Sequence, residues 1–237
     1  MAHQELQVAA VIGDMVRSSG YTRSERAGIQ KHLLRSWANV QKSFKEQLHS
    51  RLAFRVTAGD EFEFVCRDAA VALEIVTSLR LHVKAASFRP PVLFRAAIAT
   101  GGRFVSGSAD PYTQDGPAFH LARESMDWLR GQPEYLTFVA HPASPPHPHI
   151  HLINEILPLL DYHYRNWTAA QCEVILLARR NWSGERIAEK LGISPSAVSQ
   201  RLRGTSWEAY FRALAVIRRL LVGAIKAKGL IVTDEGF

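Results

Sequence analysis

The chain has 237 residues, of which 47% are hydrophobic and 22% are charged. These values predict an ordinary globular protein with one large core or two smaller ones. The two cysteines, Cys66 and Cys172, lack metal-ligand spacing, so neither a disulfide framework nor a zinc ribbon is supported. No run approaches the ~20 apolar residues of a membrane span and no secretion signal is recognisable, so we expect a soluble cytoplasmic protein with no membrane partner.

The positive charge is concentrated in the last third of the chain. Residues 1–164 contain 17 Lys and Arg against 16 Asp and Glu, whereas residues 165–237 contain 12 against 6. This asymmetry predicts a polyanionic partner for the C-terminal part. A basic surface that only increases solubility is the alternative.

Strand and helix patterns alternate over residues 1–140. Residues 8–14 form an apolar strand pattern ending in Asp14, and Thr22 followed by Glu25 is a capping-box sequence that begins a long amphipathic helix. Residues 52–66 then predict a hairpin whose tip contains Gly59 and Asp60. These patterns place acidic side chains at the ends of two strands.

The rest of this region continues the alternation. The predicted elements are a helix that begins after Asp68, a strand at 92–100, a long loop at 101–117, a helix at 118–129 and a strand at 135–140. The order β, α, β, β, α, β, α, β predicts an α/β (α+β) fold with a single ferredoxin-like sheet.

A segment rich in proline and histidine follows the predicted sheet domain. We expect residues 141–164 to form an extended linker and a connecting helix, because proline favours extended backbone. His147, His149 and His151 alternate and could share one face of an extended chain, which would suit a metal ion. A plain linker is the better interpretation, since no acidic or thiol ligand is close in sequence.

Residues 165–237 read as a small helical domain. Thr168, Ser183 and Ser194 each stand at the start of a short helix as capping residues, and Gly192 permits a tight turn between the second and third helices. The residues expected to form the small core of these two helices are Ile187, Ala188, Leu191, Ile193, Val198 and Leu202. The pattern resembles the helix-turn-helix of bacterial transcription factors of the sigma-region-four and LuxR type. A basic module that binds protein is the alternative.

The helix that begins at Ser194 carries the predicted DNA contacts. Its serines suit phosphate, and its glutamine and arginines could reach base edges in the major groove of double-stranded DNA. The candidate DNA-binding residues are Ser194, Ser196, Ser199, Gln200, Arg201 and Arg203. A longer helix from Trp207 carries an apolar stripe that suits either the core or a dimer seam.

Three segments of the N-terminal region resemble class III nucleotidyl cyclases. They are the strand ending at Asp14, the hairpin around Gly59-Asp60-Glu61-Phe62, and residues 95–101 with the Gly-Pro-Ala-Phe-His-Leu-Ala-Arg sequence at 116–123. Together with the C-terminal helix-turn-helix, this arrangement resembles the SatD family of bacterial proteins. That resemblance implies a cyclase-like domain joined to a DNA-binding module.

The cyclase resemblance also implies site residues. Asp14 and Asp60 match the aspartates that hold divalent ions, so Mg²⁺ or Mn²⁺ with a bound nucleotide is the implied cofactor set, and these two are the candidate catalytic residues. The implied nucleotide-binding residues are Gly59, Gly101, His120 and Arg123.

The cyclase motif is incomplete in this chain. His120 stands where cyclases have asparagine, Arg123 follows it at three rather than four residues, and Val56 replaces the lysine that reads the base. We therefore expect a transcriptional regulator, working as a homodimer, whose cyclase-like domain binds a nucleotide without turning it over. An active nucleotidyl cyclase and a protein-binding adaptor are the alternatives.

Overall fold

The computed structural model describes residues 8–48, 54–57, 61–101, 116–143 and 147–227. A five-stranded sheet organises its N-terminal part, with the strands in the order β2-β3-β1-β4-β5. The strands are β1 (Ala9–Met15), β2 (Arg55–Thr57), β3 (Glu61–Cys66), β4 (Phe94–Thr100) and β5 (Thr137–Ala140).

The helices of the described residues fall between and after these strands. They are α1 (Arg23–Ser43), α2 (Ala72–Lys84), α3 (Pro117–Arg130), α4 (Pro148–Asn166), α5 (Ala169–Ala178), α6 (Gly184–Leu191), α7 (Pro195–Leu202) and α8 (Trp207–Ala227). The predicted order of strands and helices over the first 140 residues is confirmed.

The first four strands have a ferredoxin-like arrangement. Strand β1 lies between β3 and β4 and is antiparallel to both, and β2 is antiparallel to β3. Strand β5 adds a fifth position, parallel to β4, because α3 carries the chain back along the sheet. The result is a mixed α+β fold, as the sequence predicts.

Alternating side chains give the sheet two buried faces. Val11 lies in the larger core beneath α1 and α2, whereas its neighbours Ala10 and Ile12 pack against α3 on the opposite face. Helix α1 begins at the predicted capping box, in which Thr22 accepts from the Glu25 amide and Glu25 accepts from the Thr22 amide. Asp14, Glu61 and Arg95 lie on the α3 face by the same alternation.

Helix α4 covers the exposed edge of β5. The side chain of Asn154 accepts from the Val139 amide at 2.9 Å and donates to the Val139 carbonyl at 2.8 Å, so it pairs with the strand as another strand would. Asp161 accepts from the amides of Leu136 and Thr137 at 2.7 and 2.8 Å. An unpaired strand edge invites aggregation, and α4 removes that edge here.

A buried ion pair joins α4 to the sheet and α2. Arg80 and Asp161 are each 1% exposed and lie 3.2 Å apart. Arg80 also donates to the carbonyls of Phe94 and Leu136 at 2.9 and 2.6 Å. Because both charges have several hydrogen-bond partners, the pair can be retained out of water.

The described end of the proline- and histidine-rich segment, from His147 onwards, is the start of a helix and not an extended linker. Helix α4 begins at Pro148, capped by His147, so His149 and His151 lie on a helix rather than on an extended chain. His149 Nδ1 lies 3.1 Å from the Leu220 carbonyl, and His151 lies 3.9 Å from Glu155. In the described part of the chain, no group of three His, Cys, Asp or Glu side chains could hold a metal ion.

The apolar stripe of α8 packs inside the chain. Leu214, Ile217 and Leu221 are buried in the same core as the sheet residues and as Leu157 of α4. Of the two roles that the sequence leaves open for this stripe, the structure shows the core. The stripe therefore gives no support to a dimer seam.

None of the helices in the described ranges combines the length and apolar character needed to traverse a bilayer.

Candidate functional site

Asp14 lies at the centre of a charged row across three strands. It stands opposite Glu61 on β3 and opposite Arg95 on β4. Its Oδ2 atom lies 3.4 Å from Arg95 and 3.5 Å from Arg130, which reaches it from the end of α3. The side chain of Asp14 is 12% exposed, so the two guanidinium groups act in partly buried surroundings where charges interact more strongly than in water.

Arg130 connects this row to neighbouring acids. Its guanidinium contacts Glu61 at 2.8 Å and Asp127 at 3.0 Å, in addition to Asp14. Partial burial acts against the charged form of Arg130, but Asp14 and Glu61 outweigh that effect and raise its pKa. The described part of this site is therefore a network of ion pairs.

The predicted metal site is only partly within the described residues. Asp60 and Gly59 lie outside them, so only Asp14 of the predicted ligand pair has a position. A divalent ion needs several oxygen ligands, and at Asp14 it would have to displace one or both guanidinium groups. The described residues thus do not by themselves fit Mg²⁺ or Mn²⁺, and the metal site stays a prediction from the sequence.

The implied nucleotide-binding residues are spread along the sheet. Gly101 follows β4 at the end opposite Arg95, about 17–20 Å away at the usual rise of a strand. It has a φ of 112° and packs against Pro142. His120 is exposed in the first turn of α3, whereas Arg123 lines a cavity of about 200 Å³ together with Arg130. Among the members of this set with a described position, Arg123 alone lies beside the Asp14 network.

Sequence reasoning overlooked the two arginines that contact Asp14. Arg95 is the one charged residue in the Phe94–Thr100 strand, and it alternates onto the same face as Asp14. Arg130 lies seven residues after Arg123, which puts both on one side of α3. Those spacings were visible in the sequence, but only the register of β1 and β4 shows which acid they meet.

The helix pair α6–α7 has a small core of its own. Ile187, Ala188 and Val198 are buried together, and Leu191, Ile193 and Leu202 pack against them, as the sequence predicts. Gly192 adopts the left-handed conformation, with φ of 64°, at the turn between the helices. The turn therefore has three residues, Gly192 to Ser194, which is a length found in helix-turn-helix motifs.

Both helices begin at the predicted caps. Ser183 accepts from the Arg186 amide at 3.3 Å, and Ser194 accepts from the Ala197 amide at 3.1 Å. Ser194 also lies 2.8 Å from the hydroxyl of Ser196. The start of α7 consequently exposes two hydroxyl groups beside backbone amides.

Four of the predicted DNA-binding residues share one exposed face of α7. At about 100° per residue, Ser196, Ser199, Gln200 and Arg203 fall within an arc of about 100°. Arg201 lies outside this arc, is only partly exposed, and contacts Glu173 of α5 at 3.7 Å. The structure thus separates Arg201 from these four candidates, and Ser194, the capping residue, also lies outside their arc.

The exposed face of α7 continues towards α8. Arg203 and Arg212 line an open groove of about 570 Å³ between the end of α7 and the start of α8, with Glu208 beside them. A surface with two arginines around an open groove suits a negatively charged backbone.

Comparison with known proteins identifies the family but not the chemistry. The SatD family model matches residues 8–221, a range that begins before β1 and ends within α8. No curated protein matches the chain. Since the match covers most of the chain, including both the sheet and the helix pair α6–α7, this chain belongs to the SatD family.

Proposed function

We propose that this protein is a DNA-binding transcriptional regulator acting in the cytoplasm. The observation that carries the proposal is the exposed face of α7, on which Ser196, Ser199, Gln200 and Arg203 are presented together by a helix-turn-helix core. A helix of this kind fits the major groove, with its N-terminal residues nearest the bases. The basic excess of residues 165–237 favours a polyanion as partner.

The DNA contact is tested by comparing three variants of α7. Wild-type protein is titrated against labelled fragments of genomic DNA at low salt, and binding is followed by fluorescence anisotropy. Arg203→Ala should weaken binding to all duplexes and reduce the salt slope by about one, because it removes one phosphate contact. Gln200→Ala should cost roughly 1–3 kcal/mol on the preferred sequence and little on random DNA, because it removes a base contact.

Arg201→Ala is the matched control. It removes the same charge from the same helix, but Arg201 faces Glu173 and not the exposed arc. We expect its affinity for DNA to change less than that of Arg203→Ala. Absence of wild-type binding to every genomic fragment would refute the regulator, and equal losses in both arginine variants would refute the proposed face.

In this proposal the sheet domain binds a nucleotide and adjusts DNA binding. The support for this part of the proposal is the resemblance of the domain to nucleotidyl cyclases. The 200 Å³ cavity on the α3 face is lined by Arg123 and Arg130 but also by Glu61, Glu63 and Asp127, so its charge alone does not favour an anion. Whether Mg²⁺ or Mn²⁺ accompanies the nucleotide depends on Asp60. Incubation with nucleoside triphosphates and either ion should yield no cyclic product; a product that Asp60→Ala abolishes would instead make the protein an active cyclase.

We further expect two copies to bind one operator, since a single helix-turn-helix per chain suits a two-fold site. Sedimentation of the protein alone and with operator DNA measures this. A single copy bound per operator would contradict it.

A further inference from the structure

A cavity of about 530 Å³ opens at the same end of the sheet as Asp14. It lies where β1 ends and β4 and β5 begin, and the loop before α1 and the end of α4 close its sides. Its volume is within the range of small-molecule sites in proteins. Of the nucleotide-binding residues inferred from the sequence, the three that the structure describes, Gly101, His120 and Arg123, do not line it.

The wall of this cavity is strongly cationic. Arg17, Lys84, Arg95 and Arg165 all line it, and no carboxylate among the described residues does. Asp14 contacts Arg95 from outside the lining and is shared with α3, so it offsets only part of this charge. Four cations around one cavity attract an anion and disfavour a neutral or cationic guest.

The rest of the wall is apolar or aromatic. Tyr21, Pro90, Pro91, Leu93 and Tyr135 contribute flat or hydrophobic surface. A ligand that fits both parts of the wall therefore carries a charged group and a flat apolar ring.

The cavity is built before any ligand enters. The Val16 amide donates to the Leu93 carbonyl at 2.9 Å, and the Tyr21 hydroxyl donates to the Pro90 carbonyl at 3.3 Å. These bonds fix the loop before α1 against the segment Pro90-Pro91, which is called the proline turn below. On the other side, Arg165 donates to the Pro133 carbonyl at 2.7 Å. A preformed wall reduces the ordering cost of binding.

Two of the cations are held in costly states. Arg17 has a left-handed backbone, with φ of 56°, which is uncommon for a residue other than glycine and positions its side chain at the rim. Burial lowers the pKa of Lys84 to about 8, although its Nζ atom donates to the carbonyls of Tyr164 and Arg165. An anion in the cavity would favour the charged form of Lys84.

We propose that this cavity binds a small organic anion, with its phosphate or carboxylate group among Arg17, Arg95 and Arg165 and its ring against Tyr21 and the proline turn. The inference adds to the sheet domain a ligand site that is separate from the α3 face and that the sequence does not indicate. It does not depend on DNA binding, which is measured separately on α7.

Calorimetric titration of the full chain tests the proposal with three probes. Adenosine monophosphate carries a phosphate and a ring, 1-naphthoate carries a carboxylate and a ring, and adenosine keeps a ring without the charge. We expect saturable binding of at least one of the two anions and none of adenosine at the same concentration. Which anion binds more tightly distinguishes a phosphate ligand from a carboxylate ligand.

Variants assign the binding to the cavity. Arg17→Gln and Arg165→Gln should each weaken binding about tenfold, since each removes a hydrogen bond to a charged group. Arg89→Gln is the matched control, because Arg89 is exposed next to Pro90 but does not line the cavity. Thermal unfolding of each variant without ligand checks that the fold is retained.

Three outcomes would overturn the inference. They are no saturable binding of either anion up to about 10 mM, equal binding of adenosine and its monophosphate, and binding that Arg123→Gln weakens while Arg17→Gln and Arg165→Gln do not. The last outcome would place the ligand at the α3 face and leave the proposed nucleotide-dependent regulator intact.

Discussion

Replacing Asp161 with asparagine should destabilise the fold strongly. The substitution preserves size, but it removes the negative charge that lies 3.2 Å from the buried guanidinium of Arg80. The carboxylate accepts from the backbone amides of Leu136 and Thr137. The substitution also replaces one of its two accepting oxygens by an amide group that can only donate, so one acceptor is lost at this site. Leaving one partner of a buried ion pair uncompensated costs roughly 3–5 kcal/mol.

That loss is a large fraction of the unfolding free energy of a typical domain, which is about 5–15 kcal/mol. Urea unfolding at low temperature, followed by circular dichroism, measures the difference in unfolding free energy from wild type. Glu155→Gln is the control on the same helix, because Glu155 is exposed and contacts only His151, at 3.9 Å, among the ion pairs of the described residues. We expect the control to change stability by about 0.5 kcal/mol or less.

A double-mutant cycle separates the charge from the hydrogen bonds. In an Arg80→Met background Asp161 is itself the uncompensated buried charge, so Asp161→Asn should cost little there or even stabilise the fold, because the asparagine oxygen can still accept from the amides of Leu136 and Thr137. A cost below about 1 kcal/mol for Asp161→Asn in the wild-type background would refute the structural role of this pair. So would a cost that is the same in both backgrounds.

Two further substitutions test packing and pH dependence. Gly13→Ala should lower the free energy of unfolding by roughly 1–3 kcal/mol or more, because its methyl group would overlap the ring of Phe62 on β3. In urea unfolding, adding Phe62→Leu should recover part of that loss. A Gly13→Ala variant as stable as wild type would contradict this packing. Burial, with Arg180 and His32 as smaller causes, lowers the pKa of His82 to about 4, so the unfolded chain takes up a proton near pH 6.5 and the folded chain does not. The free energy of unfolding should therefore decrease as the pH is lowered from 6.5 to about 4, by on the order of 1–2 kcal/mol after allowance for partial exposure. His82→Gln should remove that decrease. Identical pH profiles of stability for wild type and His82→Gln would contradict the assignment.

Local chemistry in the sequence predicted most of the elements. The capping pairs at Thr22 and Thr168, the serine caps of α6 and α7, and the glycine turn at Gly192 each depend on residues within four positions of one another. Apolar periodicity over such short ranges also predicted which residues of α6 and α7 form a core. Such features can be predicted from the sequence because they do not depend on residues that are distant in the chain.

The partners of the charged residues could not be predicted in this way. Asp14 was inferred to hold a metal because it ends a strand, yet it contacts Arg95 and Arg130, which lie 81 and 116 residues further along the chain. Likewise, the helical repeat puts Arg201 on the other side of α7, but only the packing of α5 shows that it meets Glu173 there. Ion pairs of this kind follow from strand register and helix docking.

By itself, the sequence determined the order of the elements, the helix-turn-helix pattern with its basic charge, and the resemblance to the SatD family. Only the tertiary structure decided that α4 closes the edge of β5 through Asp161, and that the stripe of α8 is buried within the chain. It also brought Arg17 and Arg165, from opposite parts of the chain, to one cavity. The physical reason is that sequence patterns specify which face of an element is apolar, whereas long-range packing selects what covers that face.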